Sequence, residues 1–277
     1  MEIATTDLWE RVDALDDGRG FVDRSNDRTL VVRGADARGW LGDLVTADVA
    51  SLEPGSSRRS LLLTATGRIR ADLWITRIDR DAFVVLQAID QPEPVEDVLR
   101  PYVLSSAVAL EDATGRRSTH AFPGRGEIVT VPREDPRAPE RTTAGGEAVL
   151  VDEPSYEVWR IGRGDPRMGA DFEAGALPAE AGSERLIDLR KGCFLGQESV
   201  AKVRNLGHPS TILAHLRSEA VVGTGARVLA AGEPVGWVTS AAPARHGGSV
   251  LIARVTWRAR DGDLRDANGS SFSPVPD

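Results

Sequence analysis

The chain has 277 residues, enough for a large core in two or three domains, and its 41% hydrophobic and 27% charged residues are the balance of an ordinary soluble globular protein. One cysteine excludes an internal disulfide framework, and it excludes a cluster held by this chain's thiols alone, since iron–sulfur clusters usually need about four ligands. A net charge of −8 speaks against a general nucleic-acid binder, which carries a basic surplus, while leaving room for an arginine-lined pocket for an anionic small molecule.

The opening stretch, MEIATTDLWERVDALDD, is acidic and lacks an apolar signal core. No run approaches the roughly 20 apolar residues of a membrane helix, so the expectation is a cytoplasmic protein with no membrane partner. Thr29–Val32 reads as a short strand, followed by Asp36 as the cap of a helix with Trp40, Leu41, Leu44 and Val45 on one face. Ser60–Thr66 and Ile69–Ile78 flank Thr66-Gly67 as a hairpin, and a turn at Asp79-Arg80-Asp81 leads to a strand over Ala82–Ala88. Glu93–Val103 carries an apolar helical stripe whose last turn Pro101 kinks or removes. Ala107–Leu110 is again strand-like.

From Pro132 to Glu147 the composition predicts a surface loop. Val149–Arg163 reads as strand-rich around Tyr156 and Trp159, and Gly164–Gly182 as loop with a short helix. Beyond Pro209, short apolar runs (Ile212–Leu216, Arg227–Leu229, Val235–Ser240, Val250–Val255) between glycine-rich turns predict a small β-barrel or Greek-key module. The polar tail, Asp261–Asp277, is expected to fray.

One stretch stands out chemically. Cys193, the sole cysteine, shares KGCFLGQESVAK with Lys191 and Lys202, the only lysines among 34 basic residues. Lysine is a compact ammonium that can lose its proton when desolvated, whereas arginine stays charged and forks. A cation beside a thiol raises its thiolate fraction. The stretch therefore reads as a site, with Lys191 supporting the Cys193 thiolate; the alternative is a small buried thiol with both lysines on a solvated face. Gly192 and Gly196 let the backbone turn around the thiol, Gln197 can donate and accept hydrogen bonds, and Glu198 adds a carboxylate. Familiar signatures fail elsewhere. There is no phosphate loop, no G-x-S-x-G and no H-E-x-x-H, and the glycines of Gly162–Gly169 have the wrong spacing for a dinucleotide. The histidines (His120, His208, His215, His246) are scattered, so no metal is expected.

The segment Leu177–Ala201, LPAEAGSERLIDLRKGCFLGQESVA, closely resembles the YgfZ family, relatives of the glycine cleavage system T protein, which carries K-G-C-[YF]-x-G-Q-E after a Leu-Pro-x-Glu-Ala stretch. Leu61–Arg77 is similar to the family's L-x-x-x-G-r-i-x-a-D hairpin, Gly34–Val49 to its opening helix, and Val235–Ser240 to the v-G-x-v-T-S of the T-protein barrel. Phe194 stands where tyrosine is common, and Lys202 where arginine is expected.

The resemblance implies an α+β, three-domain T-protein/YgfZ-like fold of mixed-sheet domains plus a C-terminal β-barrel, with tetrahydrofolate in a central opening. The expected division is a folate-binding domain over 1–130, a middle domain over 131–208 ending in the KGCFLGQE motif, and a barrel over 209–277. It also implies a role in iron–sulfur cluster assembly or repair, seen through enzymes such as the tRNA methylthiotransferases. Asp72 falls where T-protein relatives keep an aspartate near the reactive nitrogens of folate; the plainer reading is a solvated strand-edge acid. Arg68, Arg70 and Arg77 either meet folate carboxylates or are surface charges. Trp237 and Trp74 either stack on a pterin or fill cores.

The sequence thus points to a tetrahydrofolate-binding accessory factor for iron–sulfur clusters working through Cys193 and Lys191. Asp72, Gln197, Glu198 and Trp237 are its candidate cofactor contacts, folate and iron–sulfur client or assembly proteins its partners, and no nucleic acid is bound directly. The competing readings are a folate-dependent one-carbon transferase, of aminomethyltransferase or demethylase type, and a catalytically silent scaffold. The thiol favours the first, because methylene transfer to folate needs positioning and a carboxylate but no nucleophilic sulfur.

Overall fold

A computed structural model describes residues 5–104, 106–135 and 148–276. The chain divides into two compact units, Met1–Glu153 with Arg185–Ser199, and Pro154–Glu184 with Val200–Asp277. No helix among the described residues is long and apolar enough to cross a membrane.

The first unit holds helix α1 (Thr5–Asp16) and strand β1 (Gly20–Asp23), then β2 (Arg28–Arg33), α2 (Ala37–Leu44), β3 (Ser57–Leu63), β4 (Ile69–Asp79) and β5 (Ala82–Gln87). There follow α3 (Val95–Leu99), β6 (Ala109–Asp112), β7 (Arg117–Phe122), β8 (Glu127–Pro132) and β9 (Val149–Leu150). Five strands form an antiparallel sheet in the order β3-β4-β5-β2-β6. Alternation along β4 sends Ala71, Leu73 and Ile75 to one face, where they meet Phe83, Val85, Leu30 and Val32 beneath Trp40, Leu41 and Leu44 of α2 and Val95, Val98 and Leu99 of α3. Each Val, Leu, Ile or Phe among them stabilises the fold by about 1.5–3 kcal/mol on full burial. A second sheet, β8-β7-β1-β9, is mixed because β9 runs parallel to β1, and α1 packs on β1.

Asp36 stands at the start of α2 as expected but does not cap it; its carboxylate accepts the Ala107 N–H at 2.7 Å. Pro101 ends α3 early, and a 3-10 turn over Arg100–Tyr102 completes the stripe. The sequence-based loop over Pro132–Glu147 lies, beyond Asp135, outside the described residues.

Two expectations are corrected from Val149 onward. The strand-rich reading of Val149–Arg163 fails: only β9 is extended, and Glu153–Gly162 forms helix α4. The aromatics, three residues apart, belong to a helical period, and the Tyr156 and Trp159 rings stack with centroids 6.0 Å apart. The tail does not fray. β10 (Thr211–Ser218), β11 (Arg227–Ala230), β12 (Glu233–Pro243), β13 (Ser249–Thr256), β14 (Leu264–Arg265) and β15 (Ser271–Pro274) make a closed barrel, β10-β13-β12-β11-β14-β15, with β15 returning to β10. Two apolar residues of the polar tail explain this. Leu264 and Phe272 pair across β14 and β15, and both enter the barrel core. Helix α5 (Gln197–Leu206) follows the cysteine motif and precedes the barrel.

Candidate functional site

The motif is tied to the first unit along its length. Before it, the Asp188 N–H donates to the Thr46 carbonyl at 3.0 Å, and the Thr46 hydroxyl donates to the Leu186 carbonyl at 2.8 Å. Lys191 then inserts its ammonium into the turn that ends α2. The Nζ donates to the carbonyls of Gly42 (2.6 Å), Ala47 (2.9 Å) and Val45, and sits 5.3 Å from the centroid of the Phe194 ring. An ammonium has three donors, and all three are committed to the main chain.

After the thiol, the Leu195 N–H donates to the Asp43 carbonyl at 2.9 Å, and the Ser199 hydroxyl reaches the Ala65 carbonyl at 3.3 Å. Gly196 has φ +83 and lies against the β3–β4 turn so closely that a Cβ there would fall 2.5 Å from the Thr64 carbonyl oxygen. Gln197 begins α5 and accepts the Phe194 N–H on its amide oxygen at 3.3 Å, while Glu198 is exposed. Between these anchors Phe194 is buried and Cys193 is exposed. The buried-thiol alternative is therefore excluded.

Burial pushes the Lys191 pKa down to about 8, against Asp48, Asp43 and Asp188, which pull it up. At neutral pH the group is still an ammonium. Between about 8 and the ordinary 10.5, an unfolded chain keeps a proton that the folded chain has released. Stability linked to this group therefore rises with pH across that window. Wild type is expected to gain stability relative to Lys191→Met between about pH 7.5 and about pH 9.5 in urea titrations; a difference flat in pH would place the titration at the ordinary value.

Asp72 sits on β4, three residues into the strand and opposite Leu61 of β3. It is not a solvated edge acid. Its carboxylate is 8% exposed and receives both arms of Arg59, Nε at 2.9 Å and Nη2 at 2.6 Å. Where the β4–β5 ladder stops short of Asp72, the Gln91 amide replaces the missing strand, accepting the Asp72 N–H at 3.0 Å and donating to its carbonyl at 2.7 Å. Arg59 and Gln91 were not singled out in the sequence. The hairpin register pairs Leu61 with Asp72 and Arg59 with Trp74, so strand alternation puts Arg59 and Trp74 on the face of Asp72. Arg70 instead holds Glu93 at 2.7 Å, and buried Arg77 donates to the carbonyls of Leu52, Asp79 and Arg80.

Cys193, Lys191, Asp72, Gln197 and Glu198 all belong to the first unit, and Trp237 to the second. Trp237 is 49% exposed on β12, with the Arg254 guanidinium 5.9 Å from its ring centroid. The second unit also contains a buried polar cluster that sequence reasoning missed. Asp171 Oδ2 accepts from Arg160 at 2.8 Å and from the Arg167 N–H at 3.0 Å, and Oδ1 accepts from the Thr239 and Ser240 hydroxyls at 2.7 Å each. Neighbouring strand residues normally point to opposite faces. A register shift between Val238 and Ser240 in β12 lets two consecutive hydroxyls meet one carboxylate.

Residues 6–124 match the family model described as the GCVT N-terminal domain. The aminomethyltransferase of Streptomyces coelicolor is 23% identical, with 81% of this chain and 74% of the relative covered. An iron-sulfur cluster assembly factor IBA57 homolog, mitochondrial, from Pyricularia oryzae is 26% identical, covering 68% of this chain and 54% of the relative. The crystal structure of glycine cleavage system aminomethyltransferase T from Bartonella henselae is similar with a TM-score of 0.77 at 19% identity, covering 96% of this chain and 88% of that one. The chain thus carries the α+β fold of the T protein, mixed sheets with a closed C-terminal barrel, and its first unit contains the stretch matched by the GCVT N-terminal domain.

Proposed function

We propose that this chain is a tetrahydrofolate-binding accessory protein for iron–sulfur cluster assembly or maintenance, supporting enzymes such as tRNA methylthiotransferases, with Cys193 as its working residue. The observation that carries the reading is the exposed thiol held at the apex of a motif anchored on both sides. Likeness to both the IBA57 homologue and the aminomethyltransferase agrees with a folate-related fold put to cluster work. Reaction with a persulfide, a cluster-bearing partner or an electrophilic one-carbon adduct requires an accessible thiol.

For folate, the candidate contacts are Asp72, Gln197, Glu198 and Trp237. The face of β4 suits a pterin in kind: it offers a carboxylate oriented by Arg59, with lone pairs left to accept N–H donors, beside the partly exposed Trp74. Tetrahydrofolate, when bound, supplies a carrier for one-carbon units. The chain's own part there is to orient the ring and accept its hydrogen bonds.

Calorimetric titration with tetrahydrofolate tests this. Wild type is expected to bind, and Asp72→Ala to bind about tenfold or more weakly, through loss of a hydrogen bond to a charged group. Because that change removes the carboxylate that Arg59 grips, Arg59→Met/Asp72→Ala serves as the folding control. Equal binding by wild type and Asp72→Ala relocates the site, and no wild-type binding removes the folate part of the reading. A second reading, a folate-dependent one-carbon transferase, is favoured by the larger share of this chain covered by the aminomethyltransferase, 81% against 68%. Folate-dependent release of formaldehyde equivalents or ammonia from an aminomethyl donor, persisting in Cys193→Ala, would establish it.

A further inference from the structure

We infer that Lys191 is a positioning residue, whose ammonium is a three-pronged cap on the end of α2 that pins the Cys193 segment in place, and that the motif uses lysine for this geometry rather than for charge near the thiol. The inference rests on Cys193 being the working residue. It concerns how the thiol is held and does not depend on which chemistry the thiol performs.

The last carbonyls of a helix have no partner within it. In α2, the Val45 N–H closes on Leu41, leaving the Gly42 carbonyl and that of Val45 in the following turn to be met from elsewhere, while the Ala47 carbonyl accepts the Val49 N–H at 2.9 Å and has a second lone pair to offer. Lys191 meets these three from a position more than 140 residues along the chain. A single nitrogen that reaches three acceptors must carry three N–H bonds. Ammonium does; each guanidinium nitrogen carries at most two, all in one plane. Arginine keeps the charge but cannot copy the contact. In a chain whose basic residues are otherwise almost all arginine, this gives the lysine at position 191 a steric reason. Lys202, the other lysine, is exposed on α5, and nothing in the structure explains it.

The backbone ties nearest to Cys193 meet the same turn. On either side of Cys193 the amides of Asp188 and Leu195 bond to Thr46 and Asp43, which flank the same capped turn. Loosening the cap therefore frees both flanks of the thiol together.

The two lysines make a direct test possible in the full-length protein. With lysine side chains labelled with 15N, the Lys191 ammonium is expected to show slowed proton exchange and couplings across its hydrogen bonds to carbonyl carbons, with Lys202 as the internal reference. Two ammonium groups exchanging alike, at the rate of free lysine, would overturn the proposal without any variant having to fold. In variants, Lys191→Arg and Lys191→Met are both expected to speed amide exchange at Asp188 and Leu195 by about tenfold or more. They should alter the Cys193 iodoacetamide rate–pH profile alike, while Lys202→Arg changes neither readout. A Lys191→Arg protein that matches wild type would show that charge suffices, and a wild-type-like Lys191→Met would show the cap to be idle; either overturns the inference. Should Cys193→Ala leave cluster enzymes supported while these results hold, the functional reading fails and the cap stands.

Discussion

Asp171→Ala is expected to be among the most destabilising single changes in this protein, costing about 3–5 kcal/mol, because it takes from buried Arg160 the more deeply buried of its two carboxylates and opens other buried hydrogen bonds at the same time. Arg160 is 1% exposed and Asp171 0%, and Glu157 at 2.6 Å is the remaining acid on the guanidinium. The same substitution deprives the Thr239 and Ser240 hydroxyls of their shared acceptor and the Arg167 N–H of its partner. Thr239 can still donate to the Ile252 carbonyl at 2.9 Å, so the buried donor that loses its acceptor is the Ser240 hydroxyl, which adds about 1–3 kcal/mol before relaxation. At roughly 2–4 °C per kcal/mol, the melting temperature should fall by about 10 °C. The double variant Arg160→Met/Asp171→Leu should recover the share of the loss that comes from Arg160, since replacing both members of a buried pair is often close to neutral, and leave the share that comes from the Ser240 hydroxyl. Amide exchange across β12 and β13 would locate the effect. Unchanged protection in Asp171→Ala would mean that the barrel does not depend on this cluster.

The cluster also shows where sequence reasoning stops. The barrel was legible, because short apolar runs between glycine turns have few other uses, and Val235–Ser240 was recognisable as a strand. What Thr239 and Ser240 do was not legible. It depends on a register shift that only pairing with β13 reveals, and on an aspartate almost 70 residues upstream. The tail was misread for a related reason: two apolar residues among polar ones carry little periodic signal, and only a barrel with an open seam gives them somewhere to go. In α4 the aromatics suggested strand, although their spacing of three suits a helix. The hairpin, α2 and the interrupted α3 were readable because local patterns determine them. The candidate site was readable as a list of residues and unreadable as an arrangement. Nothing in KGCFLGQE says that its lysine reaches three carbonyls in another part of the chain, or that Arg59 grips Asp72.

That arrangement separates two variants that would otherwise look equivalent. Cys193→Ala should leave stability within about 0.5 kcal/mol of wild type, as expected for an exposed side chain apart from special contacts. Under the proposed function it should keep tetrahydrofolate affinity, because the Cys193 thiol is not among the candidate folate contacts, Asp72, Gln197, Glu198 and Trp237. Support of cluster-dependent enzymes, assayed as methylthiolated tRNA in cells relying on this protein, should be lost. Gly196→Ala keeps the thiol and should fail in the same assay for a different reason. The position has φ +83, where an L side chain costs about 1–2 kcal/mol, and the new Cβ would lie 2.5 Å from the Thr64 oxygen, which is backbone and cannot swing aside. The motif must lift from the hairpin, breaking the bonds of Leu195 and Ser199 that hold the far side of the thiol. Loss of function should therefore come with a lower melting temperature and faster exchange at Leu195 in Gly196→Ala, and with neither in Cys193→Ala. If Gly196→Ala loosens the motif yet sustains full methylthiolation, the thiol need not be held, and the anchored apex is not what the function uses.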